Sequence, residues 1–571
     1  MTSATEKTAD EKKRQRRPVS PRLKRGAYLQ TLAALLWLPQ AGAIAFAVGN
    51  LAATGFDASL YYCAAAVFLI GCLRSLLDAA GAALAFDAAR AELTGLREKA
   101  VAALARRSPL DRTRPASGEA ASVLAEQAEM VTPYLARFVP VRIRVMLAPP
   151  VILAAVFWFS WVAALVLLVA APLIPVFMAL IGWRAQAASE KQLAALGGMN
   201  GFLLDRLRGL ATIRTFRAVD MTALRLRANA ETLRARTMNV LRIAFLSSAV
   251  LELFSALGVA MVAVYIGFHL LGTLHFGAWG HRLSLSDGLF ILMLAPAFFE
   301  PLRDLSAVWH DRASGEASIR ALENLGRHDM RVPGDGQRDD LQQETAAEIA
   351  PTVALHDVAF AYGDGPTVLE GFDLSVAAGE HIALLAPSGC GKSTLLAMIA
   401  GLAAPQTGTI AIGGVPLDDA NAAALRARMR WIGQRPHIFA GSARYNITLG
   451  RAAEAGETAA IIADMALSHV TGVTGNALIG ENGAGLSGGE ALRLALARIA
   501  VDGKGSIILA DEPTAHLDHD TAAHIADALL RLAKGRTLIL ATHDEALARK
   551  MDRIVQLGEN RETLFQGRAA E

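Results

Sequence analysis

The sequence predicts an α-helical membrane domain of six spans, fused to a soluble α/β domain organised around a phosphate-binding loop. Three observations predict it. Long apolar runs crowd into the first 310 of the 571 residues. A glycine-rich run ending in Lys392-Ser393-Thr394 sits between a strand-like and a helix-like segment. An apolar run ending in Asp511-Glu512 lies further along the chain, preceded by a serine-glycine-glycine run. Hydrophobic residues make up 53% of the chain and charged residues 19%, which points to a membrane, and 571 residues exceed what one core serves.

Residues 1–26 form a basic tail with Lys7, Lys12, Lys13, Arg14, Arg16, Arg17, Arg22, Lys24 and Arg25. Such a tail suits nucleic acid or a membrane surface. An apolar stretch follows it directly, so it reads as a topology signal with no nucleic-acid role. That stretch is too long for a cleavable signal peptide. A span needs about 20 apolar residues to cross about 30 Å of hydrocarbon. Six segments qualify: 27–52, 59–86, 133–158, 162–183, 243–272 and 286–309, the third and fourth parted near Ser160. Residues 53–58 and the break near Ser160 carry no Lys or Arg, and 273–285 only Arg282, whereas 87–132 and 184–242 are rich in both. Positive residues stay inside. The expectation is a multi-pass protein of the bacterial cytoplasmic (inner) membrane with both termini and both long loops in the cytoplasm.

The long loops keep a helical apolar period (Leu93, Leu96, Val101, Leu104; Leu203, Leu204, Leu207, Leu210) and so extend the spans. Breaks near 108–115 and 208–220 are placed to touch a cytoplasmic domain; solvated hairpins are the competing reading. The membrane domain is expected over 27–326, a polar linker over 327–352 and the second domain over 353–571. The cysteines are Cys63, Cys72 and Cys390, with no disulfide framework and no metal-binding pattern.

The phosphate loop is Ala386-Pro387-Ser388-Gly389-Cys390-Gly391-Lys392-Ser393-Thr394. Strand-like 381–385 precedes it and helix-like 395–400 follows, the context such a loop needs. Its glycines let backbone N–H groups approach phosphate oxygens, and the helix N-terminus adds a favourable dipole. Lys392 is expected to reach the β- and γ-phosphates of ATP, and Ser393 to hold Mg²⁺. Ala386 stands where a glycine is usual, which is tolerable if its φ is negative. The run 506–511 reads as a buried parallel strand delivering acids at its end. Asp511 is expected on Mg²⁺ and Glu512 on the water that attacks the γ-phosphate. Leu486-Ser487-Gly488-Gly489-Glu490 opens a helix near 491–500 and offers donors to an anion.

With these runs the sequence resembles the ATP-binding cassette (ABC) family, whose signature is a serine-glycine-glycine run of this kind. The resemblance implies that the signature of one half closes over the ATP of the other. It implies adenine stacking by Tyr362, Mg²⁺ and membrane-domain sensing by Gln434, γ-phosphate contact by His543, and communication across the dimer through Asp518. Six spans ahead of one cassette resemble the half-exporters of this family. The runs 171–183, 204–210, 240–253, 294–305 and 511–518 resemble the CydD type of thiol-reductant exporter, linked to cytochrome bd assembly. That resemblance implies a heterodimer with a CydC-like second half, ATP and Mg²⁺ as ligands, and export of cysteine and glutathione. Haem is a rival cargo or cofactor. A homodimeric lipid or peptide exporter and a non-transporting assembly ATPase would fit the same fold.

Ionisable residues inside spans usually face a cavity or each other. Arg74 and Asp78, four apart, are spaced to pair, as are Glu300 and Arg303; Glu252 lies on the fifth span. Anionic glutathione suits a cavity carrying Arg74, Arg142 or Arg144, with Glu300 and Arg303 also near it, although internal pairing and snorkelling account for the same residues. A haem would want a ligand such as His269 or His310, with Cys63 and Cys72 as softer ligands.

Overall fold

A computed structural model of the chain describes residues 20–115, 117–172, 199, 202–203, 205–207, 209–280, 282–326, 330–335, 350–557 other than 364, 388, 473–474, 481–482 and 502–504, and 565–567. It divides into two compact units: 1–100 with 117–324, and 101–116 with 325–571.

Five helices among the described residues, all lying wholly or mostly in the first unit, are long and apolar enough to cross a membrane: Pro21–Thr54, Ser59–Ala105, Ser117–Phe159, Glu252–Leu270 and Leu285–Leu325. They cover the expected spans one, two, three, five and six. The fourth is helical over Trp161–Pro172, and its remainder lies outside the described residues. The 47-residue helix Ser59–Ala105 is roughly 70 Å long at its rise per residue. It therefore runs well past about 30 Å of hydrocarbon. Small residues set how closely helices approach. A Cβ on Gly26 would come within 2.7 Å of the Gly81 carbonyl oxygen, and one on Gly81 within 2.7 Å of the Gly26 oxygen. This is the small-residue contact by which membrane helices pack without a hydrophobic drive.

The expected break at Ser160 is a built joint. Ser160 is fully buried, ends the helix Val139–Phe159, and donates from Oγ to the Gly277 carbonyl oxygen at 2.8 Å. The Tyr265 hydroxyl lies 3.1 Å from the same Oγ and donates to the Phe276 carbonyl at 3.0 Å. A buried hydroxyl without such partners costs about 1–3 kcal/mol, so the joint holds the end of the third span to the segment before the sixth. The second predicted kink contains the short helix Leu210–Thr215, within the first unit.

The second unit has two larger sheets, besides a two-stranded antiparallel ribbon of Gly441–Ser442 with Leu478–Ile479. β1 (Val353–Ala361), β2 (Thr367–Val376), β4 (Thr407–Ile412) and β5 (Val415–Pro416) form an antiparallel sheet in the order β2-β1-β4-β5. β3 (His381–Leu385), β6 (Met429–Ile432), β7 (Ile507–Asp511), β8 (Thr537–Thr542), β9 (Arg553–Gln556) and β10 (Phe565–Gly567) form a six-stranded sheet in the order β10-β9-β3-β8-β7-β6. It is parallel except for β10.

Strand residues alternate between faces, and here the two faces hold different helices. Ile382, Leu384, Ile507, Leu509, Ile539 and Ala541 share a core with Leu395, Leu396, Met398 and Ile399 of the phosphate-loop helix Lys392–Ile399. Their neighbours Ala383, Ile508, Ala510, Leu538 and Leu540 share the other core with Leu492, Leu494, Leu496 and Ile499 of the helix Gly488–Val501. The two glycine-rich motifs thus open helices on opposite faces of one sheet.

The segment 101–116 folds with this unit. Ser108 N–H donates to the Met330 carbonyl, Val332 N–H to the Arg106 carbonyl, and Ser108 Oγ to the Leu402 carbonyl at 2.6 Å. Leu110 packs against the core around the phosphate-loop helix. Arg107 and Asp111 form a buried pair, Nε to Oδ2 at 2.7 Å, with side chains 4% and 3% exposed. Burial alone would raise the Asp111 carboxyl. The hydrogen bonds from Arg107 and Thr113 outweigh it and hold the group below its ordinary value. Its stabilisation is full above the ordinary carboxylate range and is lost as pH falls through the lowered value. Removing one partner strands the other charge in the interior. Asp111→Ala is expected to cost about 3–5 kcal/mol of local stability, seen as faster proteolysis within 101–116 and a lower unfolding temperature; unchanged protection would show that the pair does not fasten the segment.

Candidate functional site

Four neighbouring parallel strands, β3, β8, β7 and β6, deliver the site at their carboxyl ends, where ligands of such sheets bind. β3 ends at Leu385 and feeds the phosphate loop; β8 ends one residue before His543; β7 ends on Asp511, next to Glu512; β6 ends two residues before Gln434. Spatial order therefore explains why residues more than 100 positions apart converge.

The loop turns through Gly389 and Gly391, with φ of 93° and 86°, a region only glycine enters freely. Gly391 is also closed in, since a Cβ there would lie 2.8 Å from Val368 Cγ1. Ala386 is buried and has no positive φ, so its methyl brings no backbone strain at the usual glycine position. Ser388 lies outside the described residues. Pro387, Cys390 and Ser393 line the same turn.

Lys392, 5% exposed, donates from Nζ to the carbonyls of Ala386 at 2.5 Å and Pro387 at 3.0 Å. It also sits 3.4 Å from Glu512 Oε1. His543 Nδ1 lies 3.3 Å from that oxygen, and Gln434 Nε2 donates to Glu512 Oε2 at 3.3 Å. One carboxylate thus gathers three of the expected site residues. Glu512 holds a φ of 46°, an unusual backbone state for a non-glycine residue, and its N–H is tied to the Ala541 carbonyl at 2.8 Å.

Asp511 is 8% exposed, and Oδ1 is buried without a hydrogen-bond partner. Burial pushes its carboxyl above the ordinary value; Ser393 and Lys392 pull it down, while the Glu512 charge adds to the rise. A buried carboxylate oxygen left without a donor, beside the Ser393 hydroxyl, is the donor set of a hard cation such as Mg²⁺. Thr394 is buried, and its hydroxyl lies 2.6 Å from that of Tyr362.

At the other glycine run, Ser487 and Gly488 are exposed and Leu486 is half-buried. Glu490 Oε2 accepts from Ser487 N–H at 2.7 Å, and Ser487 Oγ accepts from Glu490 N–H at 3.3 Å. This reciprocal pair is a capping box that fixes the helix start. The Ser487 backbone donor, the Ser487 hydroxyl and His469 at 2.8 Å hold the Glu490 carboxyl below its ordinary value against a smaller opposing effect of burial. Asp518 caps the helix His519–Ala533 by accepting from Thr521 N–H at 2.9 Å, which lowers its pKa.

The charged set expected in the membrane domain pairs differently from its sequence spacing. Asp78 lies 3.7 Å from Arg144, not beside Arg74, whose guanidinium lies over the Trp37 ring at 5.4 Å. Arg144 also meets Asp304 at 3.4 Å and Gln30 at 3.5 Å. Arg303 pairs with Glu252 at 3.6 Å, not with Glu300. Arg142 and Glu300 are exposed. A cavity of about 410 Å³ is lined by other residues, among them Phe46, Asn50, Ser284 and Ser286. His269 is 3% exposed with both ring nitrogens unpartnered, and its ring lies 5.8 Å from that of Tyr265; His310 is exposed. Cys63 is half-buried and Cys72 exposed.

Sequence reasoning missed Arg112, whose guanidinium sits 4.1 Å over the Tyr362 ring. It also missed the Arg107–Asp111 pair, although their four-residue spacing carried a signal for it.

Comparison with known proteins agrees with both halves. The family model for "ABC transporter transmembrane region" matches residues 42–300, and that for "ABC transporter" matches 369–515. The chain is 34% identical to the "Glutathione/L-cysteine transport system ATP-binding/permease protein CydD" of Haemophilus influenzae, over 80% of this chain and 78% of that protein. It is 34% identical to the protein of the same description in Escherichia coli, over 82% and 80%. It is 36% identical to the "Transport ATP-binding protein AarD" of Providencia stuartii, over 75% and 72%.

The packing at the second glycine run is separable from any ligand. A Cβ on Gly489 would come within 2.6 Å of Thr521 Cγ2. Gly489→Val is expected to destabilise the nucleotide-free chain by about 1–3 kcal/mol through overpacking, and Thr521→Ser, which removes that methyl, to restore part of the loss. A Gly489→Val chain with unchanged thermal unfolding would contradict this.

Proposed function

Because this chain belongs to the ABC transporter family, with a membrane region and an ATP-hydrolysing cassette on one polypeptide, we propose that it is the CydD-like half of a heterodimeric exporter of cysteine and glutathione. The observation that carries the ATPase part is the single carboxylate Glu512 with Lys392, Gln434 and His543 at 3.3–3.4 Å. ATP supplies phosphate oxygens that take the place of the Ala386 and Pro387 carbonyls on Lys392. Ser393 and Asp511 would hold Mg²⁺, which would offset charge on the phosphates. Glu512 accepts a proton from the water that attacks the γ-phosphorus, and the bond to the β–γ bridging oxygen breaks, leaving ADP and phosphate. His543 and Gln434 fix the carboxylate and the water relative to the γ-phosphate. Tyr362 carries the adenine, and Asp518 sits where the two cassettes exchange signals.

The pairing follows from the sheet. Its faces separate the phosphate-loop helix from the helix that Ser487, Gly488 and Gly489 open, so this signature is free to cover the ATP of a second cassette. We read that second cassette as a CydC-like subunit. The positive-inside pattern supports an inner-membrane protein with both termini in the cytoplasm. Thiol cargo is supported by the glutathione and cysteine transport for which the CydD relatives are named. It is also supported by the anionic character of glutathione, which the arginines of the spans would meet. Arg144 can serve only if cargo carboxylates replace Asp78 and Asp304.

The test is ATP hydrolysis in lipid, by the chain alone and with the half-transporter encoded beside it, with reduced glutathione, cysteine or haem. Activity is expected to need the second half and to rise with a thiol. Glu512→Gln is expected to lower it about 10²–10⁴-fold while ATP still binds. Full activity alone, indifferent to thiols, would overturn the heterodimer in favour of a homodimeric exporter of lipid or peptide. Stimulation by haem only would overturn the thiol cargo.

A further inference from the structure

The adenine platform already has an occupant. Tyr362 is half-buried and packs against the core around the phosphate-loop helix, with the Phe360 ring at 5.1 Å and 87°. Its hydroxyl is held at 2.6 Å from Thr394 Oγ1. Over the ring lies the Arg112 guanidinium, 4.1 Å from the centroid. Arg112 is exposed and belongs to the segment 101–116, which continues the helix Ser59–Ala105. The segment is fastened to the rest of the second unit through Ser108 and the Arg106 carbonyl, and the buried Arg107–Asp111 pair stiffens it from within. The anchor is therefore firm, while the arginine side chain itself reaches the ring from solvent.

A guanidinium and a purine make the same demand on a tyrosine: one flat face at stacking distance. With the ring packed on the core, a base arriving from solvent meets the face that Arg112 covers. We propose that Arg112 is a displaceable cover of the adenine platform: the guanidinium and the base of ATP take one face of Tyr362 in turn, and nucleotide binding frees the arginine. The inference rests on the reading of 386–394 as the ATP site and adds to it a positioning residue from outside the cassette motifs. It gives segment 101–116 a direct means of registering the base, independent of the phosphates. The contact to be broken is an exposed cation–π contact, so its removal is expected to change ATP affinity about two- to fivefold.

The experiment measures equilibrium binding of MgATP and of magnesium tripolyphosphate to the full chain in lipid nanodiscs, with Glu512→Gln throughout so that ATP is not consumed. Arg112→Ala is expected to tighten MgATP binding about two- to fivefold and to leave tripolyphosphate, which has no base, unchanged. In a Tyr362→Leu background the same change is expected to do nothing. Unchanged or weaker MgATP binding by Arg112→Ala, at an unaltered unfolding temperature, overturns the cover. Should that variant not fold, Arg112→Gln carries the same comparison. Failure of the underlying site looks different: a Lys392→Ala chain that binds MgATP and tripolyphosphate as tightly as its parent would show that neither uses this loop.

Discussion

A β-strand has two faces, and much of this protein's chemistry depends on how the six-stranded sheet uses them. Odd and even residues of β3, β7 and β8 bury against different helices. One face carries the phosphate-loop helix, the other the helix opened by Ser487–Gly489. Both helix starts are rich in backbone donors suited to phosphate. With the sheet between the helices, the two donor sets lie on opposite faces, and the proposed pairing of two cassettes is the arrangement that would use both. The sheet core is fully buried along β7, with Ile507, Leu509 and Ala510 each at 0% exposure, so the separation is fixed by packing and does not rely on loops.

At the strand ends, charge balance links the geometry of the site to its proposed chemistry. A buried ammonium needs partners. Lys392 finds them in two loop carbonyls and in Glu512. The same carboxylate meets His543 and Gln434. Phosphate oxygens can satisfy Lys392 better than carbonyls can, since charge-assisted hydrogen bonds are stronger. Their arrival would release Glu512 to act on water. The unpartnered Oδ1 of Asp511 is the matching unmet demand, and a cation would meet it. On the proposed reading, binding would give Lys392 stronger partners and Asp511 Oδ1 a missing one, which is a physical reason to prefer magnesium nucleotide over either ion alone.

The parts of this design that lie in short contiguous runs were legible in the sequence. Lys392, Ser393, Asp511, Glu512 and the glycines needed only strand–loop–helix context. Gln434 and His543 are single residues whose meaning came from family resemblance; the strand order supplies the physical reason they reach Glu512. Span positions followed from length and hydropathy, while 173–183 of the fourth lie outside the described residues. Pairing inside the membrane domain was misread. Spacing along one helix suggested Arg74 with Asp78, whereas packing brings Asp78 to Arg144 of another span and leaves Arg74 on Trp37. Segment 101–116 was legible as a break placed to touch the second domain, and it does fold with that unit; the residues that make the contact were not legible, because the hydrogen bonds of Ser108 and the stacking of Arg112 are tertiary contacts with no periodic signature.

The most direct test of the account asks whose nucleotide the Ser487 run covers. Cys390 supplies a thiol in the phosphate loop, and Ser487→Cys places one at the other motif, with Cys63 and Cys72 replaced by serine. Oxidation in the presence of MgATP is predicted to join position 487 to a thiol placed in the phosphate loop of a second cassette, and to leave position 487 unlinked to Cys390 of its own chain. A disulfide between positions 390 and 487 within one isolated chain would contradict the account at its base, since the two motifs would then share a single site.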